Sequence, residues 1–396
     1  MLESIYVGMT GLTGYSRGLR VIANNTTNIN TPGFKKSTLE FKDLFYSNRA
    51  TGGGNSAYGQ LGFGLNTGAT TLSFRQGELR QTGNDLDLAI DGQGMFMLRD
   101  PSGRITYTRA GQLEFNSEGI LVDRTSGLTV LGFDSNGVLG SISIDGMRTR
   151  AGSATTSVVF GGNLSSSSTT QTVGNVRVID SAGGEHVLSA RFTNTNATTP
   201  GSWNVELLDG TTVVGAAQQI IFASGVPTAA TSTLNFTYTP PGFTAPMNVT
   251  LDFSTDVTSF AAGTLSTLAM TSQNGFQPGG LTRVSFDASG TLVLTYANGQ
   301  TTNHGQLALA RFDTEDGVVA VGDNQFQASS GAGWQTGTAE SGSFGAVRGG
   351  VVEISNVDLS QEFSDLIVMQ RGYQASSQII TTANEMLQEL FQMKGR

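Results

Sequence analysis

Two histidines (His186 and His304), a row of acids at Asp85, Asp87 and Asp91, and a glycine run at Gly52–Gly54 are the residues whose types and spacing invite a chemical reading. The histidines fall in different predicted domains, so neither a shared metal nor a nucleophile-base pair is expected of them, and both read as surface residues. A calcium loop counted from Asp85 needs oxygen ligands at its fifth and twelfth positions, where Ala89 and Phe96 stand. No Gly-Lys-Ser/Thr follows the glycine run, which reads as a mobile loop tip and not as a phosphate cradle. The chain has no cysteine, hence no thiolate nucleophile, no thiolate metal site and no disulfide. No nucleophile elbow between a strand and a helix and no zinc-protease helix is expected. These residues assign no enzyme activity, no cofactor, no metal and no small-molecule substrate.

The stronger patterns lie at the two ends. Apolar residues fall at Leu2, Ile5, Met9, Leu12 and Leu19, with Ser16 and Ala23 filling the same alternation of three and four and Ile22 beside it. The far end repeats the pattern through Leu359, Phe363, Leu366, Gln370, Tyr373, Ser377, Ile380, Asn384, Leu387 and Phe391. Such narrow seams predict terminal coiled-coil helices over 1–30 and 356–396. Ser355 or Asn356 is the expected cap of the second helix, with Asp358, Glu362 and Asp365 opposing its positive end. Gly8, Gly11, Gly14 and Gly18 dilute the first seam, and each costs about 1 kcal/mol of helix stability relative to Ala. That helix is expected to be poorly formed alone and to wait for a partner.

Two readings of the ends stand side by side. Either the helices only pair with each other, or the surplus apolar residues (Tyr6, Val7, Tyr15 and Val21; Met386, Leu390 and Met393) meet other copies of the chain. Within Ala23–Lys36 the Asn and Thr side chains compete with the helical backbone, and Pro32 disfavours helix at Thr31. The first helix is expected to be cut there and the chain to turn outward.

Between the ends the composition is that of a β protein: 53 Gly against 8 Pro in 396 residues, with long runs of Thr, Ser and Val. Residues 31–70, together with 351–355, read as an extended arm anchored by Pro32, Gly33, Phe34, Phe41, Leu44 and Phe45. Leu86, Leu88 and Ile90 alternate with polar or small residues and predict a half-buried strand, which Asp91-Gly92-Gln93-Gly94 turns into a second one. A hairpin string recurs as FNSEGIL from Phe115, FDSNGVL from Phe133 and FDASGTL from Phe286, each with an Asx-turn residue and a Gly suited to positive φ. Because the third copy stands far from the other two, one β domain is expected from two segments, 71–146 and 279–350. Residues 147–278 then form an inserted outer β domain, with four arginines, no lysine and six acids. The fold class is mainly β with a terminal α-helical coiled coil, a split β domain carrying an inserted β-barrel or sandwich-like domain.

Net charge is -9, from 22 basic and 31 acidic residues, which provides no basic face for nucleic acid. The Lys35-Lys36 pair reads as a solvated loop end. No 18-residue apolar run is present to span a membrane, and the first residues lack the basic start and unbroken apolar core of a cleaved secretory signal.

Three strings carry a family resemblance: GLTGYSRGLRVIANNTTNINTPGFKKSTLEFKDL near the start, GNDLDLAIDGQGMFML, and EISNVDLSQEFSDLIVMQRGYQASSQIITTANEMLQEL near the end. In this order they resemble the bacterial flagellar rod and hook axial proteins. Thr26-Thr27, Gly372 and Ser376 depart from the family's usual residues. The large insertion resembles the hook branch, since distal-rod members lack one. The resemblance implies a self-assembling helical homopolymer: a flexible, torque-transmitting joint around an export channel, lined by the terminal helices. It also implies contacts with rod, hook-cap and hook-filament junction proteins, export by the flagellar type III apparatus without a cleaved signal, and an extracellular place in the hook. Polymerisation would then rest on the seam residues and arm anchoring on the six residues named above. A distal-rod-type subunit is the second reading and a secreted β adhesin the third.

Overall fold

A computed structural model describes residues 2–50, 58–314, 317–329 and 333–394. The expected tip at Gly52–Gly54 and the last two positions of the second helix lie outside them. Helix α1 runs Leu2–Thr27 and helix α2 runs Leu359–Lys394. α1 continues four residues into the Asn/Thr stretch before turns at 28–33 end it. α2 is capped by Asp358, whose Oδ1 accepts from the amides of Ser360 at 2.9 Å and Gln361 at 3.2 Å. The expected caps do other work: Asn356 accepts from the Lys36 amide and donates to the carbonyls of Ser73 and Arg75, and Ser355 accepts from the Val357 amide.

The arm is a β ribbon and not a single extended strand. Ser37–Asp43 pairs antiparallel with Leu65–Leu72, with a register slip between Leu39 and Phe41, and Tyr46–Ala50 pairs with Tyr58–Gly62. Two strands alone are marginal in water. The ribbon's packing on α1 therefore matters to it: Tyr15 and Phe41 rings lie 5.8 Å apart, and Arg17 donates to Thr67 at 2.6 Å.

The chain divides into two compact units, the first drawn from 1–145, 284–294 and 302–396, the second from 146–283 and 295–301. In the first, strands of the early segment are completed by strands of the late one. Met95–Arg99 pairs with Ile105–Thr108, Thr129–Phe133 and Leu309–Phe312; Leu88–Asp91 pairs with Ala346–Gly349; Leu79–Gln81 pairs with Val351–Glu353. Met97, Tyr107, Leu131, Ala308, Ala310 and Phe326 fill its core. Leu88, Ala89 and Ile90 are all buried, so this strand is covered on both faces rather than half-buried, and it joins a different partner from the strand that follows it. The repeated strings are tight turns of one design. Asn116 Oδ1 accepts from the Ile120 amide at 2.9 Å, Asp134 Oδ1 from Val138 at 2.8 Å and Asp287 Oδ1 from Thr291 at 2.8 Å, with Gly119, Gly137 and Gly290 at φ of 77°, 76° and 76°. Asp100 and Asp180 make the same turn, without the flanking Phe that marks the other three.

The second unit holds two five-stranded sheets, one spanning Thr170–Ile179, Glu185–Asn194, Ser202–Asp209, Thr212–Ala223 and Val226–Pro227, the other built on Ser157–Asn163, Thr233–Tyr238 and Met247–Asp252. Phe192, Trp203 and Ile220 of the first sheet and Phe160, Phe236 and Leu251 of the second share one buried cluster, which makes this unit a sandwich. His186 is half-buried, not on the surface: its Nε2 lies 2.8 Å from Asp180 Oδ2, which holds the Asp180 carboxyl below its ordinary pKa, and its ring meets Tyr238 edge-on. His304 is also half-buried, within Thr301–Leu307.

Candidate functional site

α1 and α2 pack antiparallel. Asn25 Nδ2 donates to Glu362 Oε2 at 3.1 Å, and Gly18, Gly11 and Gly8 then face Met369, Ser376 and Ile380 in turn. The packing is reciprocal, because Tyr15 covers Gly372. A Cβ at Gly11 would lie 2.5 Å from Ser376 Oγ, at Gly8 2.7 Å from Ile380 Cγ1 and 3.2 Å from the Ser376 carbonyl, and at Gly372 2.5 Å from the Tyr15 ring. Gly14 faces Leu65 of the ribbon instead. The helix that its glycines weaken intrinsically is thus the helix whose glycines let its neighbour approach. Gly372 and Ser376, two of the departures from the resembled family, both lie in this seam. The string Gly14-Tyr15-Ser16-Arg17-Gly18 has the spacing of a hydrolase nucleophile motif, but it sits mid-helix and not on the strand-to-helix turn such chemistry needs.

The facing seam is Gly8, Gly11, Tyr15, Gly18, Ile22 and Asn25 on α1, and Glu362, Leu366, Met369, Gly372, Ser376, Ile380, Ala383 and Leu387 on α2, all buried or half-buried. On α1 it runs one residue ahead of the apolar alternation; on α2 the two share Leu366, Ile380 and Leu387. Ile5, Leu12 and Leu19 are half-buried and Ile22 is buried, whereas Met9, Leu359, Phe363, Tyr373 and Phe391 are exposed. Leu2 opens α1, and its side chain lies outside the described residues. Ile367, Val368, Met386, Leu390 and Met393 are exposed as well, Met393 to 79% and Phe391 to 72%. Within the chain, then, small residues make the pair, and many large apolar residues of α2 are left in water. α2 is also the longer helix, 36 residues against 26, so its last two turns overhang α1.

The root of the pair is ionic. Lys35 is 2% exposed, so it is not the solvated loop end its sequence suggests. Its Nζ lies 2.5 Å from Glu353 Oε1 and 2.8 Å from the Arg75 carbonyl; Glu353 Oε2 lies 3.2 Å from Arg109 Nη1, and Oε1 also accepts from the Gly77 amide. Arg109 donates further to the carbonyls of Ile90 and Gly92. Burial pushes the Lys35 ammonium below its ordinary pKa, with Arg109 adding to the fall and Glu353 opposing it; burial lowers Arg109 too. The residues after α1, the strand before α2 and the split β unit are joined at this one cluster. Lys36 adds a longer contact, 3.9 Å, to Glu362 of α2.

Of the expected anchors, Gly33 sits at φ 70° with its amide donating to the Glu353 carbonyl at 2.7 Å, and a Cβ there would lie 2.5 Å from the Ala110 nitrogen. The Pro32 carbonyl accepts from Asn324 Nδ2, Phe34 and Leu44 are half-buried, and Phe45 stacks on Phe63 at 4.7 Å. Phe41 and Phe45 remain exposed. The ionic cluster escaped the sequence reading, although one signal was present: Glu353 is an acid set between Val352 and Ile354, and an acid in an apolar strand is rarely buried unless paired.

Residues 5–35 match the family described as flagella basal body rod protein, residues 89–168 the flagellar hook protein FlgE/F/G D1 domain, and residues 348–393 the flagellar basal body rod FlgEFG protein C-terminal. The chain is 30% identical to the flagellar hook protein FlgE of Escherichia coli (strain K12), across 98% of each chain. It is 29% identical to the FlgE of Borreliella burgdorferi across 100% of each, and 25% identical to the flagellar basal-body rod protein FlgG of Bacillus subtilis, again across 100% of each. Among solved structures, the Helicobacter pylori flagellar hook protein FlgE2 superposes with a TM-score of 0.53 at 13% identity, over 69% of this chain and 100% of that one, a likeness of fold.

Proposed function

The chain belongs to the flagellar hook protein family, and from that premise we propose how its parts build the polymer. It is a structural subunit of the bacterial flagellar hook, which assembles with copies of itself and with other flagellar proteins. The observation that carries the reading of its interface is the apolar surface that α2 leaves exposed on more than one side, at Phe363, Ile367, Val368, Leu390, Phe391 and Met393. Full burial of each such side chain stabilises by about 1.5–3 kcal/mol, and the intramolecular seam leaves this gain uncollected. Neighbouring copies cover that surface, so the helix pairs stack side by side around a bore that serves as the export channel. In this reading Leu359, Phe363, Tyr373 and Phe391 act between copies, while Leu366, Ile380 and Leu387 hold the pair within one.

The 1–30 and 356–396 helices form the inner wall, the ribbon the connecting arm, the split β unit a middle layer, and the inserted sandwich the outside. The outer unit carries few charges and many hydroxyls, which suits wet contacts that exchange as the tube bends and lets the assembly act as a universal joint transmitting torque. Rod, hook-cap and hook-filament junction proteins are its axial partners. The chain leaves the cell through the flagellar type III apparatus and takes its extracellular place in the hook. The full-length likeness to a rod protein supports one other reading, a stiff distal-rod-type subunit.

Ile367→Ser and Phe391→Ser test the interface. Both side chains are exposed in the single chain, so each variant should melt like the unsubstituted protein yet remain monomeric by sedimentation under conditions where the latter forms tubes. Normal tube growth by both variants would refute the assignment of this surface. Negative-stain images of the tubes separate hook from rod, curved against straight.

A further inference from the structure

We propose that a cavity of about 460 Å³ in the split β unit receives a carboxylate side chain from a second copy of the chain; the proposal rests on the polymer reading above. Its lining combines Phe74, Met95 and Phe312 with Arg75, Gln93 and Arg311. Two guanidinium groups in it are underused. Arg75 makes no side-chain hydrogen bond or ion pair among the described residues, only its backbone carbonyl being engaged. Arg311 reaches Gln93 Oε1 at 3.3 Å and Asp313 Oδ1 at 3.7 Å, both long, and its Nε is buried with no acceptor. A carboxylate entering the cavity would give the terminal nitrogens of Arg311 and Arg75 a closer acceptor than Gln93 or Asp313 provides, as a charge-assisted bond.

Charge points the same way. Among the described residues three arginines, Arg75, Arg109 and Arg311, line this cavity against one acid, Asp313, and Arg109 is itself paired with Glu353, in a chain whose net charge is -9. A cationic spot on an acidic protein that packs against itself is matched by the acidic surface of the next copy, which steers docking and fixes register. The apolar floor excludes water from the ion pair and gives the methylene stem of an Asp or Glu a surface to lie on.

The test replaces Arg75 by an amine that can be trapped. Arg75→Lys chains, half of them isotopically heavy, are assembled into mixed tubes and treated with a water-soluble carbodiimide. Mass spectrometry should find an amide joining the introduced amine to an Asp or Glu of a chain with the other label. Amides confined to one chain, or no amide at all, would overturn the proposal. In parallel, Arg311→Gln should leave the melting temperature of the unassembled chain unchanged while raising the concentration of unassembled subunit about tenfold, as expected for losing one docked charge pair. An unchanged concentration counts against the pocket. If the unsubstituted chain forms no tubes, the hook reading itself fails and the pocket falls with it.

Discussion

Glu353 holds two buried cations at once, and this makes its loss worse than the loss of either of them. Removing one partner of a buried ion pair costs about 3–5 kcal/mol, because the other is left charged and dry. Glu353→Ala strands both Lys35 and Arg109 and should reach the top of that range, whereas Lys35→Met leaves Glu353 satisfied by Arg109 and the Gly77 amide and should cost far less. Urea unfolding of the two unassembled variants checks the order, and equal costs would show that the cluster is not read correctly. The pH dependence has a definite sign. Lys35 has its folded pKa pushed below 10.5, so over the window between that lowered value and 10.5 the unfolded chain binds more protons than the folded one. Stability should therefore rise with pH across that window in the unsubstituted protein relative to Lys35→Met, and a flat difference would deny the depressed value. None of this was legible from Lys35 and Lys36 as residues: two adjacent lysines look solvated, and only the three-dimensional meeting of three distant segments buries one of them.

At the scale of elements, local grammar was readable and partner choice was not. The Asx-Gly turns at Asn116, Asp134 and Asp287 were legible because side chain, amide and glycine lie within five residues of one another. The β character of the inserted unit was legible from composition, in its runs of Thr, Ser and Val. The helix seam misled because apolar periodicity ranks residues by what they lose in water, while closeness of approach is set by what is small. Gly8 puts the two effects in opposition. A larger residue there gains helix propensity, up to about 1 kcal/mol for Ala and less for Val, but meets Ile380 at 2.7 Å and the Ser376 carbonyl at 3.2 Å. Overpacking of this kind costs about 1–3 kcal/mol, so Gly8→Val should destabilise the helix pair although it favours the helix. Helical circular dichroism on heating measures this directly, with Ser4→Ala on the exposed face as the control expected to raise helicity. A Gly8→Val chain melting later than the parent would mean that the glycines serve no close approach.

At the scale of the molecule, the β units and the helices depend on each other unequally. Each unit has its own buried core, one around Phe96, Met97 and Leu131, the other around Phe160, Trp203 and Phe253, and among the described residues Ile22 is the one large apolar side chain of α1 that is fully buried. α2, by contrast, sets Met369, Gly372, Ser376 and Ile380 against α1, and among the described residues its Ile367, Val368, Ile379, Leu390 and Met393 stay exposed. Deleting residues 1–30 keeps Lys35, Glu353 and Arg109, so the split β unit should retain its root cluster and unfold as cooperatively as before. The same deletion exposes the small-residue face of α2 beside its already exposed apolar residues, and a helix with no dry side has little reason to stay formed. The truncated chain should therefore lose more helical signal than its missing residues account for, keep its β signal, and form no tubes at any concentration at which the full chain assembles. Sedimentation and circular dichroism on the same sample decide it. Tubes grown from the truncated chain would place the assembly surfaces in the β units, and the exposed apolar surface of α2 would then need another explanation.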